Sequence, residues 1–219
     1  MTGHYRSFDG DECLLRHPFT AIVAGPTQCG KTSLLSRMIK RRDDVITPKV
    51  TRIIYAYNRF QPAFDQLPGV EFVRGQDYVL DGAQPTLLIL DDLMEDVKNL
   101  TQLFTVDSHH LNTSVIMVTH NIFHRSDQFR NAVLNCHYLF LFKSPRGCSQ
   151  IQALTRQIFG KGGDKLGPIY QEATRKPYGY LFLDLHPRAH DALKIRTDVL
   201  PTDGPELQGR RLTAVYSLK

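Results

Sequence analysis

No stretch of about 18 consecutive apolar residues occurs in this chain, so no helix long enough to cross a bilayer is expected. The first residues show no charged start followed by an apolar run and a small-residue cleavage site. No pair of cysteines stands as C-x-x-C; the four present, Cys13, Cys29, Cys136 and Cys148, are far apart. One of them lies inside a glycine-bearing loop, which argues against a disulfide framework and for a reducing compartment. No Asn-Lys-x-Asp guanine reader appears, no segment repeats, and no interior linker breaks the chain. The charge excess is small, 27 Lys and Arg against 22 Asp and Glu for a net +5. That suits an anionic partner without locating one, since no aromatic-basic stripe stands out. The expectation is a soluble intracellular protein with no membrane partner. Its 219 residues and 42% hydrophobic content suffice for one α/β domain with a real core. Residues 17–200 form that domain, with an arm over 1–16 and a loosely held tail over 201–219.

What is present begins with Gly25-Pro26-Thr27-Gln28-Cys29-Gly30-Lys31-Thr32, which fits G-x-x-x-x-G-K-[ST] at every fixed position. Ahead of it, Phe19-Thr20-Ala21-Ile22-Val23-Ala24 reads as a buried strand. Behind it, Ser33-Leu34-Leu35-Ser36-Arg37-Met38-Ile39-Lys40 has helical apolar spacing. Strand, loop and helix N-terminus together make an anion site, because backbone N–H groups and the helix dipole converge on one phosphate. Gly25 and Gly30 permit close approach. Lys31 reaches the β- and γ-phosphates, and the Thr32 hydroxyl can hold Mg²⁺. The loop from Gly25 to Ser33 is the candidate nucleotide cradle. The basic run Lys40-Arg41-Arg42 suits the last turn of this helix and reads as its solvated end.

A second strand is expected at Thr51–Tyr57 and a small extra one at Val70–Val73. Pro85-Thr86-Leu87-Leu88-Ile89-Leu90-Asp91-Asp92 reads as a strand buried on both faces that ends in two carboxylates. Carboxylates at the end of a buried parallel strand face the crevice where α/β ligands bind. Asp91 would hold Mg²⁺ and Asp92 would polarise the attacking water. The alternative is a turn that caps the next helix, which is expected from about Val97 to Asp107. His109 and His110 read as loop residues without metal, because adjacent histidines do not face one way and no cysteine partners them. Ser114–Val118 is another buried strand, ending in Thr119-His120-Asn121, either a polar group at the γ-phosphate or a turn cap. A polar helical stretch carries Arg125 and Arg130. A strand follows over Cys136–Phe142, then helices near Ser149–Phe159 and Leu166–Thr174. Pro177–Leu185 and Leu193–Thr197 read as a closing antiparallel pair.

The succession of phosphate loop, Leu-Leu-Ile-Leu-Asp-Asp-Leu-Met and Ser-His-His-Leu-Asn-Thr-Ser-Val-Ile-Met-Val-Thr-His-Asn-Ile-Phe resembles the A32-like genome-packaging ATPases of viruses, within the FtsK–HerA group of P-loop motors. The resemblance runs on through Arg130–Asn135, Leu141-Phe142-Lys143-Ser144-Pro145-Arg146 and Arg156-Gln157 to Pro177-Tyr178-Gly179-Tyr180. It implies an additional-strand (ASCE, RecA/FtsK-like) P-loop NTPase fold, a mostly parallel sheet flanked by helices with a C-terminal antiparallel pair. It also implies a homo-oligomeric ring, a capsid or portal partner, and ATP-driven movement of double-stranded DNA at the site of virion assembly. His120 matches the family's sensor position, where Gln is frequent. Arg130 best matches the arginine supplied to a neighbour's γ-phosphate, with Arg125 and Arg146 behind it, and nothing else near the loop is expected to supply that cation. The competing readings are a small phosphotransferase such as a nucleotide kinase, and a nucleotide-gated assembly scaffold.

Overall fold

The unbroken apolar runs of the central strands decide the architecture, because successive side chains point to opposite faces of a sheet and both faces must then be covered. In the computed structural model, residues 4–7, 13–93, 99–122, 126–144, 148–200, 203, 206–207 and 210–217 are described. Their strands, in chain order, are β1 (His4–Ser7), β2 (Leu15–Arg16), β3 (Thr20–Ala24), β4 (Ile46–Thr47), β5 (Arg52–Tyr57), β6 (Glu71–Arg74) and β7 (Thr86–Asp91). They continue with β8 (Thr113–Thr119), β9 (Tyr138–Phe142), β10 (Tyr180–Asp184), β11 (Ile195–Thr197), β12 (Glu206–Leu207) and β13 (Arg210–Val215). The main helices are α1 (Lys31–Lys40), α2 over 100–110, α3 (Asp127–Asn135), α4 (Cys148–Phe159) and α5 (Leu166–Ala173). Helix α2 is wound as a π-helix over Leu103–Asp107.

One eleven-stranded sheet runs β1-β13-β11-β10-β9-β3-β8-β7-β5-β6, with β12 beside β13. From β6 to β9 the strands are parallel; from β9 to β1 they are antiparallel. Strand β8 stands between β3 and β7, so a strand is inserted between the one bearing the phosphate loop and the one bearing the acids. This insertion is what the additional-strand expectation names. Strands β3, β7, β8 and β9 are buried along their whole length. Leu87 and Ile89 of β7 pack with Leu34, Leu35, Met38 and Ile39 of α1 on one face. Leu88 and Leu90 pack with Leu100 and Phe104 of α2 and Phe129 of α3 on the other. Burying each such side chain is worth about 1.5–3 kcal/mol, so two covered faces hold the parallel strands in register. No helix among the described residues is long and apolar enough to cross a membrane.

Two expectations are corrected. The segment after residue 200 contributes β13, which pairs with β1 of the N-terminal arm from Arg6↔Thr213 to His4↔Val215 and with β11 at Thr197↔Ala214. Residues 4–7 and 210–215 are thus built into the sheet edge; backbone pairing across some 200 residues leaves no local pattern to read. His109 and His110 are the last residues of α2 rather than a loop. Successive helical residues point about 100° apart, so one ring can turn inward without the other. The His109 ring lies edge-on to His137 at 5.8 Å. Among the described residues no cluster could hold a metal through three or more His, Cys, Asp or Glu.

His137 carries a consequence for pH. The Thr20 backbone N–H donates to its Nδ1 at 3.0 Å, which favours the neutral ring with its proton on Nε2. Burial above all, then the neighbouring His186 and His109, pushes its pKa from 6.5 down to about 4. Between those values the unfolded chain binds a proton that the native state refuses, so stability is full above pH 6.5 and falls toward pH 4. His17 and His186, also pushed down chiefly by burial, act in the same direction. Thermal melting from pH 7.5 to 4.5 should show this loss, and His137→Asn, which keeps an acceptor for Thr20, should make it shallower.

Candidate active site

The phosphate loop leaves β3 at Ala24, which lies level with Thr119 of β8, and the Gly25 N–H donates to the Thr119 carbonyl at 3.2 Å. A Cβ on Gly25 would come within 2.6 Å of Phe142 Cβ and 2.7 Å of Cys29 Sγ, so only glycine fits. Gly30, at φ 106°, turns the chain into α1. The first turn of α1, Lys31 to Ser33, contains no acidic residue, so its free N–H groups and the helix dipole are offered to an anion. Lys31 is buried, and its Nζ donates to the Gly25 carbonyl at 2.6 Å and the Pro26 carbonyl at 2.9 Å. Burial pushes its pKa down. The same cause pushes the half-buried Cys29 thiol up.

The two acids have different surroundings. Asp91, level with Tyr57 and Val118 in the sheet, is buried and accepts the Tyr55 hydroxyl at 2.8 Å. Desolvation raises the Asp91 pKa, with the Tyr55 bond opposing it. Asp92 follows at φ 57°, with its carboxylate 60% exposed and turned to the cleft. The His120 ring stands between the loop and the acids: Nδ1 lies 3.4 Å from Lys31 Nζ and Nε2 lies 3.7 Å from Asp92 Oδ1. An ammonium can only donate, so Nδ1 accepts and the Nε2 proton faces Asp92. Thr119 Oγ1 closes the turn by accepting the Asn121 N–H at 3.1 Å, and the exposed His120 ring lines the cleft.

Thr32 Oγ1 donates to Gln61 Oε1 at 3.4 Å, and Gln61 Nε2 donates to Asp91 Oδ2 at 3.4 Å. One amide therefore spans the hydroxyl and the carboxylate expected to hold Mg²⁺. Two hard oxygens reached by one amide, beside the glycine loop, are of the type by which Mg²⁺ takes few protein ligands.

These groups line a cleft of about 570 Å³ that brings together Thr27, Gln28, Gly30, Lys31, Thr32, Ser33, Asp91, Asp92 and His120. Arg130 is not among them; it is exposed on α3, its backbone bonded to Ser126. Arg125 and Arg146 lie outside the described residues. Three wall residues were not anticipated: Arg59, Gln61 and Tyr178. Arg59 corrects the expectation that no second cation stands near the loop. It and Gln61 follow β5, and polar residues just beyond the carboxyl end of a parallel strand are a readable signal. Tyr178 offers no such signal, since its place at the loop depends on β10.

The inserted strand, the glycine loop capping α1 and the acids at the end of β7 define an additional-strand P-loop NTPase fold. No family model matches the chain, and no curated protein matches it. Among solved structures, it is similar to the genome packaging NTPase B204 from Sulfolobus turreted icosahedral virus 2 in complex with ATP-gammaS. That likeness has a TM-score of 0.54 and 13% identity, and covers 87% of this chain and 98% of that one. The same protein in complex with sulfate gives a TM-score of 0.56, 12% identity, and coverage of 86% and 97%. In complex with AMPPCP it gives 0.55, 13%, and coverage of 87% and 99%.

Proposed function

We propose that the protein is an ATP-hydrolysing motor of the FtsK–HerA group that moves double-stranded viral DNA into a capsid, working as a homo-oligomeric ring against a capsid or portal component. The observation that carries this reading is the meeting, in one cleft, of Lys31, Asp91 with Asp92, and His120, which come from the ends of three neighbouring strands. The fold shared with a packaging NTPase along nearly its whole length supports it. A kinase would want a second, arginine-rich acceptor site in place of paired acids and a polar sensor.

In this reading Gly25 to Ser33 cradle the triphosphate of ATP, and Lys31 moves from its own loop carbonyls to the β- and γ-phosphate oxygens. Mg²⁺, held by Thr32 and Asp91, would supply charge neutralisation on those oxygens. Gln61, which spans the two, has to give way to it. Asp92, the exposed acid, orients the attacking water and accepts its proton. His120, touching both Lys31 and Asp92, is placed to register whether the γ-phosphate is there.

Steady-state phosphate release tests the proposal. A motor is expected to hydrolyse ATP faster when duplex DNA is added, with no response to small phosphate acceptors. Stimulation by an acceptor would favour the kinase, and response to neither would favour a scaffold. DNA affinity is also expected to fall linearly in log salt, with a slope of about −0.9 per phosphate contact, and to be nearly blind to sequence. A flat salt titration would contradict a grip on the duplex backbone.

A further inference from the structure

A second cleft, of about 350 Å³, opens beside the phosphate loop. It shares two wall residues with the first, Ser33 and Tyr178. Arg37, one turn along α1 from Ser33, lies on it alone, and Ala214 and Tyr216 at the end of β13 form part of the opposite wall. We propose that this cleft takes the nucleoside of the bound nucleotide, with the base against the Tyr178 ring and a wall supplied by the C-terminal strand. The inference rests on the reading that Gly25 to Ser33 bind the triphosphate.

Direction follows from the chemistry of the two clefts. Asp91, Asp92, Lys31 and His120, the groups suited to the reacting phosphate, line the first cleft and are absent from the wall of the second. A triphosphate is an unbranched chain, so its nucleoside leaves the loop at the end away from those groups. Ser33 and Tyr178 mark that end. The volume lies within the range of small-molecule sites, about 300–1,000 Å³.

Tyr178 has the form of a stacking platform. Its side chain rests on the loop, where a Cβ on Gly30 would come within 3.0 Å of its Cδ1, yet the residue is 66% exposed. It is held at φ 61°, a conformation that a bulky residue rarely adopts. Exposure excludes a core role, and the strained backbone is one that a functional role can explain. The rear of the cleft is fixed by hydrogen bonds, while Glu172, Arg175, Lys176 and Asp198 also line it. Tyr180 donates to Asp203 at 2.5 Å, Asp203 also pairs with Arg37, and the Val199 N–H donates to the Tyr180 hydroxyl at 3.0 Å. Burial and the Asp203 carboxylate push the Tyr180 phenol well up, so it stays a donor. Arg37 is engaged by Asp203 and Arg175 by Glu172. Lys176 and Asp198 stand on the same wall, so the cleft is mixed in charge and not a uniformly cationic second phosphate site.

The experiment compares equilibrium binding of ATP and inorganic tripolyphosphate to the full chain, to Tyr178→Ala and to Tyr178→Phe. Tyr178→Ala is expected to weaken ATP about tenfold, in line with base–aromatic stacking, and to leave tripolyphosphate within about twofold. Tyr178→Phe is expected to keep ATP affinity, since the ring face is retained. An equal loss for both ligands would make Tyr178 a brace of the phosphate loop, and no loss for either would take the base elsewhere; both results overturn the proposal. If the unaltered chain binds neither ATP nor tripolyphosphate, the phosphate-loop reading fails first, and the nucleoside cleft fails with it.

Discussion

Asp92→Asn is expected to bind ATP and not cleave it, whereas Lys31→Ala is expected to lose hydrolysis together with most of its hold on the triphosphate. The proposed division of work follows from their different surroundings. Lys31 is buried and already donates to two loop carbonyls, so its charge is organised before any ligand arrives. Asp92 is exposed on the cleft, beside the His120 ring. Asparagine is nearly isosteric and tolerates the left-handed backbone that Asp92 occupies at φ 57°, so the fold and the cradle persist. What disappears is the base, worth typically 10²–10⁴-fold in rate. The check pairs ATP turnover with binding of a fluorescent ATP analogue. An Asp92→Asn protein that turns over at the unaltered rate would displace Asp92 from this role, and Glu95, outside the described residues, would be tested next.

The same cleft shows which parts of a site a sequence discloses. The strand–loop–helix unit around Gly25 to Ser33 was legible because its determinants lie within a few consecutive residues: an apolar strand, two glycines, a lysine and a helix start. Asp91 and Asp92 were legible because carboxylates ending a buried run are costly without a role. The inserted position of β8 came from the resemblance and not from any local pattern. The place of His120 between Lys31 and Asp92 became definite only once β3, β7 and β8 were seen side by side. Tyr55 was read as a strand residue, but its bond to Asp91 needs the β5–β7 register to be seen. Tyr178 and the wall from β13 depend on pairing between distant segments, and periodicity within either segment is silent about that. The paired histidines at 109 and 110 show the opposite failure. A sound rule about which way neighbouring side chains point was applied to loop formation, although a helix end satisfies it equally well.

Arg130 was assigned from the resemblance, and Arg59 now stands as its competitor within the same chain. Arg59 lines the cleft that holds Lys31 and the acids. Arg130 sits exposed on α3, the helix that follows the His120 turn, and lines no part of its own cleft. An arginine that reaches the transition state is worth roughly 10³–10⁵ in rate, whether it comes from the same chain or from a neighbour. Mixing separates the two origins. Arg130→Ala and Lys31→Ala are each expected to be inactive alone. In a mixed ring, some interfaces place an intact Arg130 beside an intact Lys31, so partial hydrolysis should return if Arg130 serves its neighbour. The same experiment with Arg59→Ala and Lys31→Ala gives the contrast. An arginine that serves its own site cannot be restored by any neighbour, so a pair defective in Arg59 should stay silent if Arg59 is the residue that acts. Recovery with Arg130 alone assigns catalysis to the interface between subunits. No recovery with Arg130, in mixtures shown by mass to co-assemble, removes it from that role or places it in cis.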